Sequence, residues 1–389
     1  MPMLFLRKFL LVTLTLVSIA AASAGAQTPT TAPAPIPSPP SFDSKSYIMI
    51  DFDSGAVLAE HNPDERVEPA SITKIITTYL VYKALEQGQI SLDDEVLISE
   101  KAWRMGGSKM FVEVGDRVTL KQLLKGIIIQ SGNDATVAVA EHVAGTERAF
   151  ADLMNAEAKR LGMTGTHYVD STGWPHPEQY TTARDIATLA QALIRDFPEY
   201  YAGYAEREFT FNDIKQYNRN TLLFQDDSVD GLKTGHTESA GYCLVASALR
   251  EGMRLITVVM GTPSEKARAA NTQALLSYGF RFFETHKLYS ADEPLATPRA
   301  WKGEAENVPV GLAEDLIVTI PRDRYGGLSA SLDLNDQILA PVQQHEEVGQ
   351  VKVRFDGEPL REEPVIALRS VDKGGLWRQA KDTVLMWFQ

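Results

Sequence analysis

A single cysteine, Cys243, is all the thiol chemistry this chain of 389 residues possesses. It excludes an intramolecular disulfide, so the fold must be held by its core. Its neighbours Tyr242, Leu244, Val245 and Ala246 make it a small buried hydrophobe rather than a nucleophile, because nothing electropositive flanks it. Metal-ligand spacing is missing too, as are a glycine-rich phosphate loop and any internal repeat. No metal or cofactor is therefore expected. Positive charge is in deficit: 38 Lys and Arg against 51 Asp and Glu leave a formal net charge of −13. That balance argues against a nucleic-acid partner and against broad adsorption to anionic lipid. Long apolar runs are also lacking, since the stretch Phe9 to Ala22 is well short of the ~20 residues a membrane span needs.

That short run has another reading. Arg7 and Lys8 precede it, the small-residue patterns Ala22-Ser23-Ala24 and Ala24-Gly25-Ala26 follow it, and no acidic residue occurs before Asp43. Residues 1–26 thus read as a secretory signal peptide, and the protein as exported. Residues 27–42, rich in Pro, Thr and Ala, cannot build a core and read as a semi-rigid tether. The remainder suits two domains.

Tyr47–Phe52 and Ala56–Ala59, split by Asp53-Ser54-Gly55, read as a hairpin. A mostly helical stretch runs from Pro69 to about Ala192, with Leu120–Ile129 and Ala135–Val143 its clearest pieces. Gly231–Gly235, Gly241–Leu249 and Met253–Met260 read as strands and Glu265–Phe283 as a closing helix. Strands at both ends with helices between imply an α/β domain over 43–290, one antiparallel sheet flanked by helices. Residues 291–371 carry short alternating runs (Leu316–Ile320, Leu328–Leu334, Gln350–Phe355, Pro364–Leu368), a small all-β domain such as a sandwich. Residues 372–389 read as an amphipathic helix: Leu376, Trp377, Ala380, Val384, Trp387 and Phe388 share one arc, with Arg378, Gln379, Lys381 and Asp382 outside it. It is too short to span a bilayer but suits the headgroup boundary, and the pair Gly374-Gly375 would detach it. The competing reading docks it on the all-β domain.

The helix opening at Pro69 carries Ser71 in its first turn and Lys74 three residues on, one turn apart on one face. A serine hydroxyl becomes a nucleophile when a base takes its proton, and lysine is a base only when neutral. The helix start also aims backbone N–H groups at charge developing on an attacked carbonyl. Ser-x-x-Lys is common, and Ser370-Val371-Asp372-Lys373 repeats it. Two further triplets narrow the choice. Ser131-Gly132-Asn133 falls between two helices, and Lys233-Thr234-Gly235, followed by His236, falls on a strand. Taken singly they read as a helix cap and a strand end; the ordered set of three marks β-lactamases and penicillin-binding proteins.

With these motifs the chain resembles the low-molecular-mass penicillin-binding proteins that act as serine-type D-alanyl-D-alanine carboxypeptidases. The likeness extends to Asp170-Ser171-Thr172-Gly173, Thr182-Ala183-Arg184-Asp185, Asn218-Arg219-Asn220, Val229–Thr237 and Tyr278–Phe283. The glycine of Ser131-Gly132-Asn133 is similar to this group rather than to β-lactamases, which usually have aspartate there. One departure stands out: where relatives often place a histidine just before a Tyr-Ser-Thr-Ala segment, Gln179 precedes Tyr180-Thr181-Thr182, and His176 lies three residues earlier.

The resemblance implies a β-lactamase/transpeptidase-like domain, an all-β second domain and a C-terminal anchor on the periplasmic face of the inner membrane. It implies removal of the terminal D-alanine from peptidoglycan stem peptides ending in D-Ala-D-Ala, with β-lactams as covalent inhibitors. Ser71 would be acylated, Lys74 would take its proton with Lys233 helping to keep it neutral, and Ser131 would relay a proton to the leaving nitrogen. Asn133 would hold the substrate amide and orient Lys74. The backbone N–H groups of Ser71 and His236 would form the oxyanion hole. Lys233, Thr234 and Gly235 of the third motif, with Arg268 and Arg219 behind them, would receive the terminal carboxylate. A class A β-lactamase would position its water with a Glu-x-x-x-Asn segment, which residues 164–178 lack. A transpeptidase differs only in whether water or an amine resolves the acyl-enzyme, and a sensor that acylates without turnover is separated by release of free D-alanine.

Overall fold

In the computed structural model, the described residues are 36–388. The expected signal peptide and the tether up to residue 35 lie outside them. The last tether residues are pinned to the domain: Ile36 and Phe42 pack on the core, and the hydroxyl of Tyr278 donates to the carbonyl of Pro37 at 2.9 Å.

A five-stranded antiparallel sheet runs in the order Val57–His61, Ser46–Asp51, Met253–Thr262, Gly241–Arg250, Val229–Thr237. Its three central strands are buried on both faces, which is why they read as near-continuous apolar runs. Along neighbouring strands Ile48, Ile50, Ile256 and Val258 face one layer, and Tyr47, Met49, Leu255 and Val259 the other, with the period of two a pleat imposes. The helix Glu265–Phe282 closes the second face with Leu275, Leu276 and Phe280. The first is covered by Lys74–Glu86, Asn133–Ala144 and Ala183–Asp196. Lys74–Glu86 is buried on nearly every side, the mark of a central helix.

The expected helical stretch holds two departures. Glu95–Leu97 and Arg117–Thr119 pair as a small antiparallel ribbon. The helix starting at Leu120 ends at Lys125 and continues as a widened turn, Gly126–Gln130, in which the amide of Ser131 reaches back to the carbonyl of Gly126. Ser131 itself lies in the left-handed region, with φ 65°.

The second domain is all-β. Phe283–Tyr289, N-terminal to the junction expected at 290, pairs with Leu316–Pro321. A four-stranded sheet orders Val310–Gly311, Glu358–Ala367, Glu347–Phe355 and Leu328–Leu334. A polar seam joins it to the first domain. Asp51, fully buried, accepts from the hydroxyls of Ser54 (2.8 Å) and Thr285 (2.7 Å), Thr319 bonds the hydroxyls of Ser54 and Thr285, and Arg361 donates to the carbonyl of Ser54 at 3.0 Å.

The terminal helix spans Leu376–Leu385 and tightens over Met386–Phe388. The glycine pair does not detach it. Gly374 donates its amide to the carbonyl of Lys302 at 2.8 Å, and Asp382, 1% exposed, accepts from Arg299 at 2.6 Å and from the amide of Lys302 at 2.7 Å. The helix docks through its polar edge and leaves Leu376 (85%), Trp377 (90%) and Trp387 (81%) in the open. No helix among the described residues is long and apolar enough to cross a membrane.

Candidate active site

The segment that carries Ser71 begins with strain. Ala70 is buried in the left-handed region, φ 46°, and the short helix Ala70–Thr73 turns from it into the Lys74–Glu86 helix. A non-glycine residue held there needs support from its surroundings. Gly173 supplies it, because a Cβ at 173 would sit 1.7 Å from the carbonyl oxygen of Ala70. Gly235 closes the other side, where a Cβ would come within 3.1 Å of Ile72 and 3.2 Å of the carbonyl of Pro69. The third motif thus owes its glycine to the close approach of its strand to the serine.

Lys74 is fully buried, and its Nζ meets three oxygens: Ser71 Oγ at 2.8 Å, Asn133 Oδ1 at 2.7 Å and the carbonyl of Thr172 at 2.8 Å. Two of these can only accept. The amide of Asn133 is oriented by Nδ2, which donates to the carbonyl of Gly106 at 2.8 Å. A neutral amine has two hydrogens and one lone pair, so both hydrogens go to Asn133 and Thr172 and the lone pair faces the hydroxyl of Ser71. Burial pushes Lys74 down from 10.5 to about 7, with Asp170 and Asp134 opposing the fall and Arg219 adding to it. Burial, rather than Lys233, is the main cause of that fall. Lys233, itself buried, is held well below its usual range by burial and by Lys74, Arg219 and Arg268.

Ser131 and Asn133 reach the same cleft from the expected inter-helix break. The Oγ of Ser131 is buried and makes no hydrogen bond within the described residues. The amide of Asn133 donates to the carbonyl of Ser108 at 2.7 Å, and Asp134 accepts from the amides of Met110 (2.8 Å) and Phe111 (2.9 Å), so the loop at 105–112 forms one wall. Ser71, Ser131, Asn133, Thr234, Gly235, His236, Arg219 and Arg268 line a single cleft of about 810 Å³, of the size that small-molecule sites occupy. Lys233 lies in the strand beneath it and donates to the carbonyl of Thr234 at 3.2 Å. Arg268 is buried and held by Glu265 at 2.6 Å, while the Nε of Arg219 is spent on the carbonyl of Gln130 at 3.0 Å. Ser370 lies outside this cleft, where its hydroxyl caps the amide of Gln344 at 2.9 Å.

A buried lysine with its lone pair turned to a serine, ringed by these three motifs, matches a known family over residues 33–264: D-alanyl-D-alanine carboxypeptidase. The chain belongs to it. Residues 283–373 match a second model, the C-terminal domain of penicillin-binding protein 5. D-alanyl-D-alanine carboxypeptidase DacC of Escherichia coli is 44% identical over 357 residues, covering 90% of this chain and 89% of that protein. Penicillin-binding protein 5 of Haemophilus influenzae superposes with a TM-score of 0.84 at 40% identity, covering 86% of this chain and 99% of that one. Penicillin-binding protein D2 of Listeria monocytogenes, solved in an ampicillin-bound form, superposes with a TM-score of 0.57 at 27% identity, covering 61% and 97%. Like its family, this chain is a serine peptidase with a transpeptidase-like domain and a C-terminal β domain.

The carboxypeptidase site also contains groups that sequence reasoning missed. The carbonyl of Thr172 is a main-chain atom with no side-chain signature, and the Asp170-Ser171-Thr172-Gly173 stretch betrays only the turn that presents it. Trp174, half exposed on the cleft, covers Gly106 and Gly107. His176 is exposed; its ring accepts from the amide of Glu178 and its carbonyl from that of Gln179, and it makes no bond to Lys74.

Proposed function

We propose that this carboxypeptidase works through an acyl-enzyme on Ser71, with Lys74 as the base. The observation that carries the reading is the three-oxygen shell of Lys74, which leaves its one lone pair for the Ser71 proton. Ser71 Oγ attacks the carbonyl carbon between the two terminal D-alanines as its proton passes to Lys74 Nζ. The tetrahedral oxyanion is held by the backbone N–H groups of Ser71 and His236, donors of a kind worth about 3–4 kcal/mol each. When the C–N bond breaks, the proton moves through Ser131 Oγ to the D-alanine nitrogen. Water then cleaves the ester and Ser71 regains its proton. Lys233 and Thr234, with Arg268 and Arg219, receive the substrate carboxylate, while Asn133 holds the substrate amide. Because the same hydroxyl opens a β-lactam ring, ampicillin-like molecules are covalent inhibitors, and Asp170, which spends both oxygens on its own loop, offers no free carboxylate to hurry their hydrolysis.

The chain acts outside the cytoplasm, on the periplasmic face of the inner membrane. Its residues 1–26 have the pattern of a signal peptide. Trp377, Trp387 and Leu376 present an apolar face whose burial among headgroups contributes several kcal/mol at ~25 cal/mol per Å². Release of free D-alanine from a pentapeptide ending in D-Ala-D-Ala, and from a cross-linked dimer, tests the reaction. Penicillin treatment followed by mass spectrometry of the digest tests the nucleophile. Label on Ser370, or none on Ser71, sinks the assignment.

A further inference from the structure

Thr172 meets Lys74 through its carbonyl, so what aims that carbonyl matters for the base. The turn that carries it is gathered around one carboxylate. Asp170 Oδ1 accepts from the amide of Thr172 (2.7 Å), its hydroxyl (2.8 Å), the amide of Gly173 (2.8 Å) and the amide of Trp174 (3.3 Å). Its Oδ2 accepts from Gln179 Nε2 at 3.0 Å, and the oxygen of that same amide takes the backbone N–H groups of Val169 (2.8 Å) and Asp170 (3.0 Å). Thr172, Gly173 and Trp174, which line the cleft, all hang on this carboxylate. Strip it away, and the amides of Thr172 and Gly173 lose their acceptor while Thr172 is free to rotate its carbonyl off Lys74.

We propose that Asp170 is a positioning residue for the base: it fixes the Thr172 carbonyl on Lys74 and sets a negative charge behind it. The inference rests on Lys74 being the base of Ser71. The carboxylate adds an electrostatic effect to the geometric one, since it is the foremost group opposing the downward push of burial on Lys74. The other charges facing Lys74 are Asp134 from the Asn133–Ala144 helix, Arg219 from the cleft rim and Lys233 from the Val229–Thr237 strand. On its outer side the turn meets Glu147, which accepts from Ser171 and pairs with Lys101 at 2.7 Å, and His176, which shares a small outer cavity with Asp170. A carboxylate so placed keeps the amine basic enough to take the proton while burial keeps it neutral.

The test is the rate of penicillin acylation of the full chain between pH 5 and 10, with Tm measured alongside. Asp170→Asn keeps an oxygen acceptor for the turn and removes the charge. Its acid-limb midpoint should fall by about one pH unit, the size of a single nearby charge. Asp170→Ala should lose a further 10–100-fold on the plateau, the span of a displaced positioning group. A wild-type midpoint in Asp170→Asn overturns the proposal, as does an unchanged rate per folded molecule in variants that lose only Tm. If Asp170→Ala does not fold, the midpoint of Asp170→Asn decides alone. Acylation of wild-type protein without any acid limb removes the base reading itself, and this inference with it.

Discussion

At the head of the Lys74–Glu86 helix a lysine, an asparagine and a serine hydroxyl are buried, whereas along Leu376–Leu385 and the Met386–Phe388 turn that follows, two tryptophans and a leucine lie in the open. Each region inverts the usual partition of polar and apolar groups, and each meets the cost differently. The cleft satisfies Lys74 and Asn133 internally and leaves the buried hydroxyl of Ser131 without a hydrogen bond among the described residues. Among the described residues the helix buries only Asp382, its one anchoring carboxylate, and leaves Leu376, Trp377 and Trp387 exposed. A buried polar group tuned by its neighbours points to chemistry, and an unpartnered apolar face on a docked helix points to a surface.

The contrast breaks hardest at the nucleophile. Ser71→Ala should abolish penicillin labelling and lower D-alanine release by 10⁴-fold or more (order-of-magnitude), as loss of a nucleophile does; Ser370→Ala should change neither. Next is Lys74→Arg, in which a permanent cation replaces the neutral amine. Acylation should fall on the order of 10³-fold, the weight of a general base. Lys233→Arg preserves the charge offered to the carboxylate and should lose far less, so equal losses in the two variants would show that Lys74 acts as a charge and not as a base.

The pH dependence sharpens the same point. In the proposed reaction Lys74 works unprotonated, and its pKa is lowered to about 7, so acylation should rise as pH climbs through that value and decline when the pH falls below it. A profile flat from pH 5 to 9 contradicts that. At the other region, a chain ending at Lys373 should leave the membrane fraction and keep its activity on soluble peptide within about twofold, because no cleft residue touches the helix. Sedimentation of that truncated chain with membranes would mean the exposed face is idle. The smallest effect belongs to the dock. Burial pushes the Asp382 carboxyl up, but the amide of Lys302 and the guanidinium of Arg299 outweigh it and hold it below its usual range. Asp382→Ala should therefore cost about 1–3 kcal/mol of local stability, seen as faster amide exchange across 376–385 with D-alanine release unchanged.

Much of this was legible in the sequence because it was periodic or spelled in side chains. The strands of the sheet, the helix at Glu265 and the alternating runs after residue 300 were readable from their apolar spacing, and Ser71, Lys74, Ser131, Asn133 and Lys233 from three motifs. Three things were not. Ala70 carries no mark of its left-handed backbone, which comes from Gly173 a hundred residues away. The Thr172 carbonyl is a main-chain atom, and any residue type would supply it. Phe283–Tyr289 looked like the tail of the first domain because its partner, Leu316–Pro321, lies beyond a long loop and pairing leaves no local trace. The glycine pair before the last helix suggested release, whereas the buried Asp382 that holds the helix down reads in sequence as one more polar residue on its outer arc.

The absent side chain at Gly173 bears on how this enzyme can vary. With the carbonyl of Ala70 filling the space where a Cβ would stand, even alanine at 173 displaces the backbone that carries the nucleophile. The neighbour Trp174 has no such restriction: its ring lies half exposed on the open lip of the cleft, near Gly106 and Gly107. Adjacent codons thus face opposite fates, one frozen and one free to drift. A search for altered substrate range, by laboratory evolution or design, should randomise 174 and leave 173 untouched.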